Sequence, residues 1–137
     1  MNIYQEQPPV AKTEKQLSGY LTSIHLEPRQ LTEQEREEND IVDMTDEEGQ
    51  IIRMEAWTST DIFYYHKAPL TEDDYPHLVS AIIRRKYSAD DVEAIQLNYT
   101  DTQSQEHIDE MAALQAWRTL AKTAARTALG NGSVSSQ

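Results

Sequence analysis

The pattern of apolar and polar positions divides the chain into a β-rich first half and a helical second half. Residues 51–58 split into two alternating sets with a period of two, which is typical of a strand with two different faces. The aromatic-rich residues 61–68 predict the next strand, and residues 17–26 predict an earlier one. The turn signal at 46–49, which ends in Gly49, predicts a hairpin between the apolar residues of 41–44 and the strand at 51–58. The strands together predict an antiparallel meander.

After Pro69 the apolar period lengthens to that of amphipathic helices. The first helix has Pro76 in its first turn, where a missing N–H is tolerated. A second helix is predicted from Ser88 to about Asn98, and a third over about 102–129, with Gly130 as its stop signal. The third helix has an apolar stripe that begins with large residues and thins to alanines: Ile108, Met111, Leu114, Trp117, Ala121, Ala124 and Ala128.

These elements predict an α+β fold, with an N-terminal antiparallel meander followed by a helical C-terminal half. Residues 1–16 contain Pro8-Pro9 and little periodic apolar content, so we expect a flexible arm there. A single domain over 17–129 follows, with its sheet in 17–68 and its helices in 75–129. Residues 130–137 are expected to form a flexible tail.

The charge changes sign abruptly across Tyr87–Ser88, from three cations at 84–86 to the acids Asp90 and Asp91. Cations are stabilised at a helix C-terminus and acids at an N-terminus, by about 0.3–1 kcal/mol each. Ser88 and Asp91 have the spacing of a capping box. The pattern therefore favours a joint between two helices, and a basic anion site at 84–86 remains the alternative.

Composition narrows the classes of function. The net charge of −12 argues against direct binding to a nucleic-acid backbone and favours either solubility or a cationic partner. The acids are densest over 33–48. There is no cysteine, which excludes disulfides and Cys-based zinc sites. There is also no run of 18 apolar residues and no apolar N-terminal core, so we expect a chain made in the cytoplasm that does not enter a membrane.

No catalytic residues, cofactor site or metal site are predicted. Residues 44–55 approach the spacing of a calcium-binding loop, with Asp46, Glu48 and Glu55 in ligand positions, but Met44 occupies the first position and cannot bind Ca²⁺. The four histidines form no zinc-binding motif, although a site assembled only in space remains open. Sets of Ser, His and Asp are too frequent in this composition to indicate a catalytic triad.

Several residues are candidates for protein–protein contacts. On the last helix, a basic stripe runs beside the apolar one. These cations could bind an acidic partner, and the alternative interpretation is that they form a solvent-exposed face. We expect the distal half, about 118–129, to dock onto another subunit through its alanines and cations. The sheet adds two aromatic candidates, for which burial in the core is the alternative. The candidates are Leu114, Trp117, Arg118, Lys122, Arg126, Trp57 and Tyr64.

Two segments, "LVSAIIRRKYSADDVEAIQLNY" at 78–99 and "EHIDEMAALQAWRTLAKTAAR" at 106–126, resemble small proteins of phage and prophage tail modules. The resemblance covers about residues 75–126. Its motif pairs the charged joint with a later helix that carries an aromatic residue and a basic, Ala-rich turn. The matching positions are Arg84, Arg85, Lys86, Tyr87, Ser88, Asp90, Asp91, Trp117 and Arg118.

This resemblance implies a virion or tail-assembly context and no enzymatic role. We therefore expect a non-enzymatic structural or assembly protein of a phage tail or related particle. Its partners would be other virion or tail proteins, a second copy of this chain included, and incorporation in the virion is a further expectation. The alternative is an acidic inhibitor that imitates nucleic acid in the basic groove of a host DNA-processing protein.

Overall fold

A computed structural model describes the backbone of residues 1–135 and the side chains of residues 1–130. The chain divides into two compact units. Unit 1 consists of Met1–Val10 and His25–Asp61, and unit 2 of Ala11–Ile24 and the chain from Ile62 onward. The elements are β1 (Tyr4–Gln5), β2 (Lys12–Gln16), β3 (Gly19–Gln30), α1 (Glu33–Glu38), β4 (Met44–Thr45), β5 (Ile51–Ile52), β6 (Ala56–His66), a 3-10 turn (Glu72–Asp74), α2 (Tyr75–Arg84), α3 (Ala89–Asp101) and α4 (Gln105–Ser135).

The four-stranded main sheet has the order β1-β6-β3-β2, and it is followed by helices, so the predicted α+β class is confirmed. β2 pairs antiparallel with β3, from Lys12 opposite Ser23 to Gln16 opposite Gly19. β1 pairs antiparallel with β6, where Tyr4 lies opposite Trp57. The prediction of a flexible arm over 1–16 is wrong for these strands. β1 has its partner far along the chain, and β2, which forms a hairpin with β3, is too polar to show an apolar period of its own.

The predicted meander is only partly correct. The turn at 46–49 forms, but it closes a separate two-stranded ribbon of β4 and β5 rather than a hairpin of the main sheet. The strands predicted at 51–58 and 61–68 are replaced by β5 and the single long strand β6. The break falls at Met54, whose backbone bonds to the side chains of Arg36 and Asp43 instead of a neighbouring strand.

The predicted helix starts are well placed. Ser88 caps α3: its hydroxyl accepts from the N–H of Asp91 at 3.0 Å, and the Asp91 carboxylate accepts from the N–H of Ser88 at 3.0 Å. The same reciprocal pair forms between Thr32 and Glu35 at the start of α1. Pro76 lies in the first turn of α2. The charge change at 84–91 is therefore a joint between two helices, as the sequence predicted.

In unit 2, α2 packs antiparallel along α4. The Trp117 indole N–H donates to the carbonyl of Ile82 at 3.0 Å, near the end of α2. At the start of α2, the Arg126 guanidinium lies 4.0 Å from the ring centre of Tyr75. Leu78 and Ile82 are fully buried in this contact. α4 also contacts α3 and β2.

Two predictions for the last helix are wrong. α4 continues past Gly130 to Ser135, so the helix does not stop there, and the last residues of the predicted tail, 136–137, lie outside the described residues. The alanine side of the distal half is also part of the core of unit 2 rather than a free docking face. Its buried side chains are Ala121, Ala125, Ala128 and Leu129. The small alanine side chains allow close approach to neighbours within the same unit.

Candidate interaction surface

The β4–β5 ribbon of unit 1 is held at its tip by the Asp46 carboxylate. Its Oδ1 accepts hydrogen bonds from the N–H of Glu48 at 2.9 Å and of Gln50 at 2.8 Å. Gly49 closes the turn with φ +82°, a conformation that residues with a Cβ rarely adopt. The turn thus places Met44 opposite Ile52, with the two short strands running antiparallel.

The ribbon exposes large apolar side chains. Val42, Met44, Ile51 and Ile52 have between 49% and 76% of their surface exposed. An isolated two-stranded hairpin is at best marginally stable in water, and packing on another surface normally supplies what it lacks. A group of exposed apolar side chains with polar neighbours marks an interaction site.

The base of the ribbon is anchored by Arg36, whose side chain is 7% exposed. Its guanidinium donates to the carbonyl of Met54 at 2.7 Å and to the Asp43 carboxylate at 3.0 Å. Arg53 adds an exposed ion pair with Glu33 at 2.8 Å. These side chains line an open cleft of about 330 Å³ beside Val42. The ribbon is therefore held in place at its base while its apolar side chains face outward.

The segment that carries the ribbon is also strongly acidic. Residues 33–55 hold ten acidic and two basic side chains, a net charge of −8 out of −12 for the whole chain. We call the exposed apolar residues Val42, Met44, Ile51 and Ile52, together with the acids of 33–55, the ribbon surface. It includes both faces of the ribbon, because Met44 lies opposite Ile52 on one face and Ile51 lies on the other. It combines an apolar centre with a negative surround, which fits an apolar surface with a cationic rim.

Unit 1 also contains a polar cluster around the Asp61 carboxylate, which is 7% exposed. Its oxygens accept from four side chains: the Asn2 amide at 2.9 Å, the Tyr4 hydroxyl at 2.7 Å, the His25 Nδ1–H at 2.8 Å and the Ser59 hydroxyl at 2.5 Å. Burial acts to raise the pKa of Asp61, but these hydrogen bonds outweigh it and lower the pKa to about 2. Burial, and then the bond to this carboxylate, raise the pKa of Tyr4 to about 12.

Ser59, His25 and Asp61 do not form a catalytic triad. In a triad, one ring nitrogen of the histidine contacts the carboxylate and the other contacts the nucleophilic hydroxyl. Here the Ser59 hydroxyl and His25 Nδ1 both bond to the same Asp61 oxygen, and the Ser59 oxygen is 3.5 Å from that same nitrogen. His25 Nε2 is therefore not placed to take the Ser59 proton, and the cluster ties β1 to β6.

A second histidine, His66 in unit 2, is stacked between Tyr20 and Tyr64, with ring centres 5.6 Å and 5.4 Å away. Its Nδ1 faces the carbonyl of Ala68 at 2.7 Å, and its Nε2 faces the Thr22 hydroxyl at 2.8 Å. The ring is therefore engaged through both nitrogens and stacks on two tyrosines. A surface cleft of about 430 Å³ lies beside it.

Gly19 allows the close approach at this cleft, because a Cβ there would lie 2.6 Å from the carbonyl oxygen of His66. The remaining lining residues include Leu17 and Tyr65, which are exposed. No charged side chain is buried in the lining. The cleft is thus a surface feature of the β2–β3 turn rather than a constellation of reactive groups.

Across residues 1–130, whose side chains the structure describes, no group of three acidic or histidine side chains is placed to hold a metal ion. The Asp46 carboxylate, one of the ligand positions of the approximate calcium loop, instead bonds to backbone N–H groups of its own turn. That no specific calcium site exists at 44–55 stays a prediction.

The structure places the seven interface candidates differently. Leu114 is fully buried and Trp117 is 5% exposed, so both lie in the core of unit 2 and not on its outer surface. Arg126 pairs with Glu72 at 2.6 Å within its own unit. Arg118 is half-buried and Lys122 exposed on α4, while Trp57 and Tyr64 are half-buried on β6. Tyr64 donates its hydroxyl to the Asp74 carboxylate at 3.1 Å.

The ribbon surface is the candidate that the sequence did not identify. The sequence predicts a hairpin within one larger meander for Val42, Met44 and Ile52, and it does not indicate their exposure. Two features of the sequence could have indicated an exposed ribbon: the apolar runs on either side of the turn are short, and they lie within the most acidic stretch of the chain.

Comparison with protein-family models, with curated proteins and with solved structures finds no match to this chain. Among the described residues, no helix is both long and apolar enough to cross a membrane.

Proposed function

We propose that this chain is a non-enzymatic structural or assembly protein of a phage tail or related particle, which acts through protein–protein contacts. The observation that carries the proposal is the exposure of Val42, Met44, Ile51 and Ile52 on the anchored ribbon. Burial of apolar surface stabilises by roughly 25 cal/mol per Å², so covering these side chains would stabilise a complex considerably.

The hydrogen bonds of the Asp61 and His66 clusters support the non-enzymatic part of the proposal. The Asp61 carboxylate is engaged by four donors, and both His66 nitrogens face hydrogen-bonding partners. Groups held in this way tie neighbouring strands together, which gives both clusters a structural role. The particle context rests on the resemblance of residues 75–126 to tail-module proteins.

The acidic inhibitor is the second candidate, and the net charge of −8 over 33–55 favours it. A nucleic-acid backbone presents a regular array of negative charges to its protein partners. The apolar centre of the ribbon surface departs from that pattern, and this is why we rank assembly first. Competition with DNA for a basic host protein would support the inhibitor.

Co-expression with the products of the genes that flank its own tests the proposal. We expect this chain to co-purify in a fixed ratio with a particle component, by size-exclusion chromatography with light scattering. The Met44→Ser/Ile51→Ser variant should lose that complex. A matched Val10→Ser/Leu97→Ser variant, altered at exposed apolar residues elsewhere, should keep it. Absence of any complex, or equal binding by both variants, would contradict the proposal.

A further inference from the structure

A cationic surface lies on unit 2, at the end of α2 and along α4. The Trp117–Ile82 hydrogen bond holds the end of α2 beside α4, and Lys86 Nζ lies 4.9 Å from the centre of the Trp117 ring. Lys86 therefore lies beside the part of α4 that carries Arg118, and Arg84 is in the last turn of α2. Lys122 follows one turn later. We call Arg84, Lys86, Arg118 and Lys122 the basic surface.

These cations are less engaged than their neighbour Arg126. In the part of the chain whose side chains are described, the ion pairs include Arg126 with Glu72 but none of the four cations of the basic surface. Arg84 and Lys122 are exposed, so their charge is directed to solvent. Half of the twelve Lys and Arg residues of the chain fall at 84–86 and 118–126.

The chain therefore carries both members of a complementary pair. The ribbon surface has a net charge of −8 over 33–55, and the basic surface has four cations. From this complementarity we infer that the occupant of the ribbon surface is a second copy of this chain, docked through its basic surface. The inference rests on the proposed function, because it names the partner of the same surface.

Pairing of two ribbon surfaces with each other is disfavoured. Each segment carries eight net negative charges, and the acids nearest to the contact would face each other within the Debye length of about 8 Å at physiological salt. The ribbon-to-basic contact instead brings opposite charges together at that range. Repulsion between the whole chains, each with a net charge of −12, acts mostly over longer distances and is screened more.

A contact between two different surfaces is heterologous. Each copy offers a ribbon surface to one neighbour and a basic surface to another, so association continues from copy to copy. Rings form where the rotation closes, and open filaments form where it does not. Either arrangement suits a component that is repeated within a particle.

Analytical ultracentrifugation of the full chain, from dilute to near-millimolar concentration, tests the inference. The ribbon variant is Met44→Ser/Ile51→Ser, with Val10→Ser/Leu97→Ser as its control. The basic-surface variant is Arg84→Gln/Lys122→Gln. Its control is Lys12→Gln/Lys15→Gln, which changes the net charge equally at two exposed lysines of β2. Circular dichroism confirms that each variant is folded.

The wild-type chain should associate beyond a dimer, and raising the salt above the physiological level should weaken the association. The ribbon and basic-surface variants should each associate at least tenfold more weakly, and their controls within twofold of wild type. Mixed together, the two defective variants should form a dimer that grows no further, because each retains the surface that the other lacks. A basic-surface variant that dimerises by itself would contradict the head-to-tail arrangement.

A wild-type chain that stays monomeric at every concentration would overturn the inference. The proposed function has a separate outcome: a monomeric chain that still binds a flanking gene product through Met44 and Ile51 would overturn the second copy as occupant and retain the assembly role. A chain that neither self-associates nor binds such a product would overturn both.

Discussion

At the scale of single residues, the Ser88 cap is the clearest link between sequence and structure. The small hydroxyl and the Asp91 carboxylate satisfy N–H groups that the first turn of α3 would otherwise leave unpaired. The bond from Ser88 also lowers the pKa of Asp91. Because every partner lies within four residues, this feature could be predicted from spacing alone.

Replacing Ser88 tests that cap. Ser88→Ala should lower the free energy of unfolding by about 0.5–2 kcal/mol, because the N–H of Asp91 loses its acceptor. Ser80→Ala, at an exposed serine inside α2, should leave the stability nearly unchanged. Urea denaturation of both variants measures the difference, and equal midpoints for Ser88→Ala and wild type would count against the cap.

The Asp61 cluster predicts how stability depends on pH. The pKa of Asp61 in the folded chain is about 2, below the ordinary 3.8, so the folded state binds fewer protons between these values. Its contribution is fully present above about pH 4 and is lost as the pH falls through about 2. At the alkaline end, the contribution of Tyr4 is present below pH 10 and is lost as the pH rises through about 12.

Two variants separate these contributions. Asp61→Asn should be less stable than wild type at neutral pH, and the difference should shrink as the pH falls from 4 to 2. Tyr4→Phe should remove the part of the alkaline loss that lies between pH 10 and 12. Denaturation midpoints measured across the pH range give both results. A constant difference between Asp61→Asn and wild type from pH 4 to 2 would show that the carboxylate does not act in this way.

At the scale of elements, helices were easier to predict than strand partners. α2 and α3 begin where Pro76 and Ser88 indicate, because helix signals are local. β1 and β2 were missed because they are short and mostly polar and so lack an apolar alternation of their own, although the strands that they pair with were predicted in part. The length of β6 and the separation of the β4–β5 ribbon depend on the bonds of Arg36 to Met54 and Asp43, which join residues up to 18 apart.

For the candidate surfaces, too, the element itself was easier to predict than the neighbour that covers it. The apolar stripe of α4 was identified, and Leu114 and Trp117 do lie on it, but amphipathicity does not say which neighbour covers the stripe. The neighbour proved to be α2 of the same unit. The ribbon surface could not be predicted because its exposure depends on where the main sheet ends.

The last helix gives a prediction at this scale. Deleting 118–137 removes the buried residues Ala121, Ala125, Ala128 and Leu129, so unit 2 should lose its cooperative unfolding transition. A shorter deletion, of 131–137, keeps all four and should retain that transition. Circular dichroism during thermal unfolding measures both. A folded 118–137 deletion would show that these alanines are dispensable to the core.

At the scale of the whole molecule, the distribution of charge matters more than its sum. Two thirds of the net charge of −12 lies within residues 33–55, while six cations lie at 84–86 and 118–126. An asymmetric charge distribution steers association and selects orientation more than it adds affinity. The apolar side chains of the ribbon would then supply most of the binding free energy.

The central claim is that the β4–β5 ribbon is the surface through which this chain contacts other proteins. Hydrogen–deuterium exchange, on the dilute chain and on its assembled complex with copies of itself or a flanking gene product, tests it most directly. We expect exchange to slow in residues 41–53 on assembly, with little change on the inner face of α4. Unchanged exchange in 41–53, with new protection elsewhere on the chain, would contradict it.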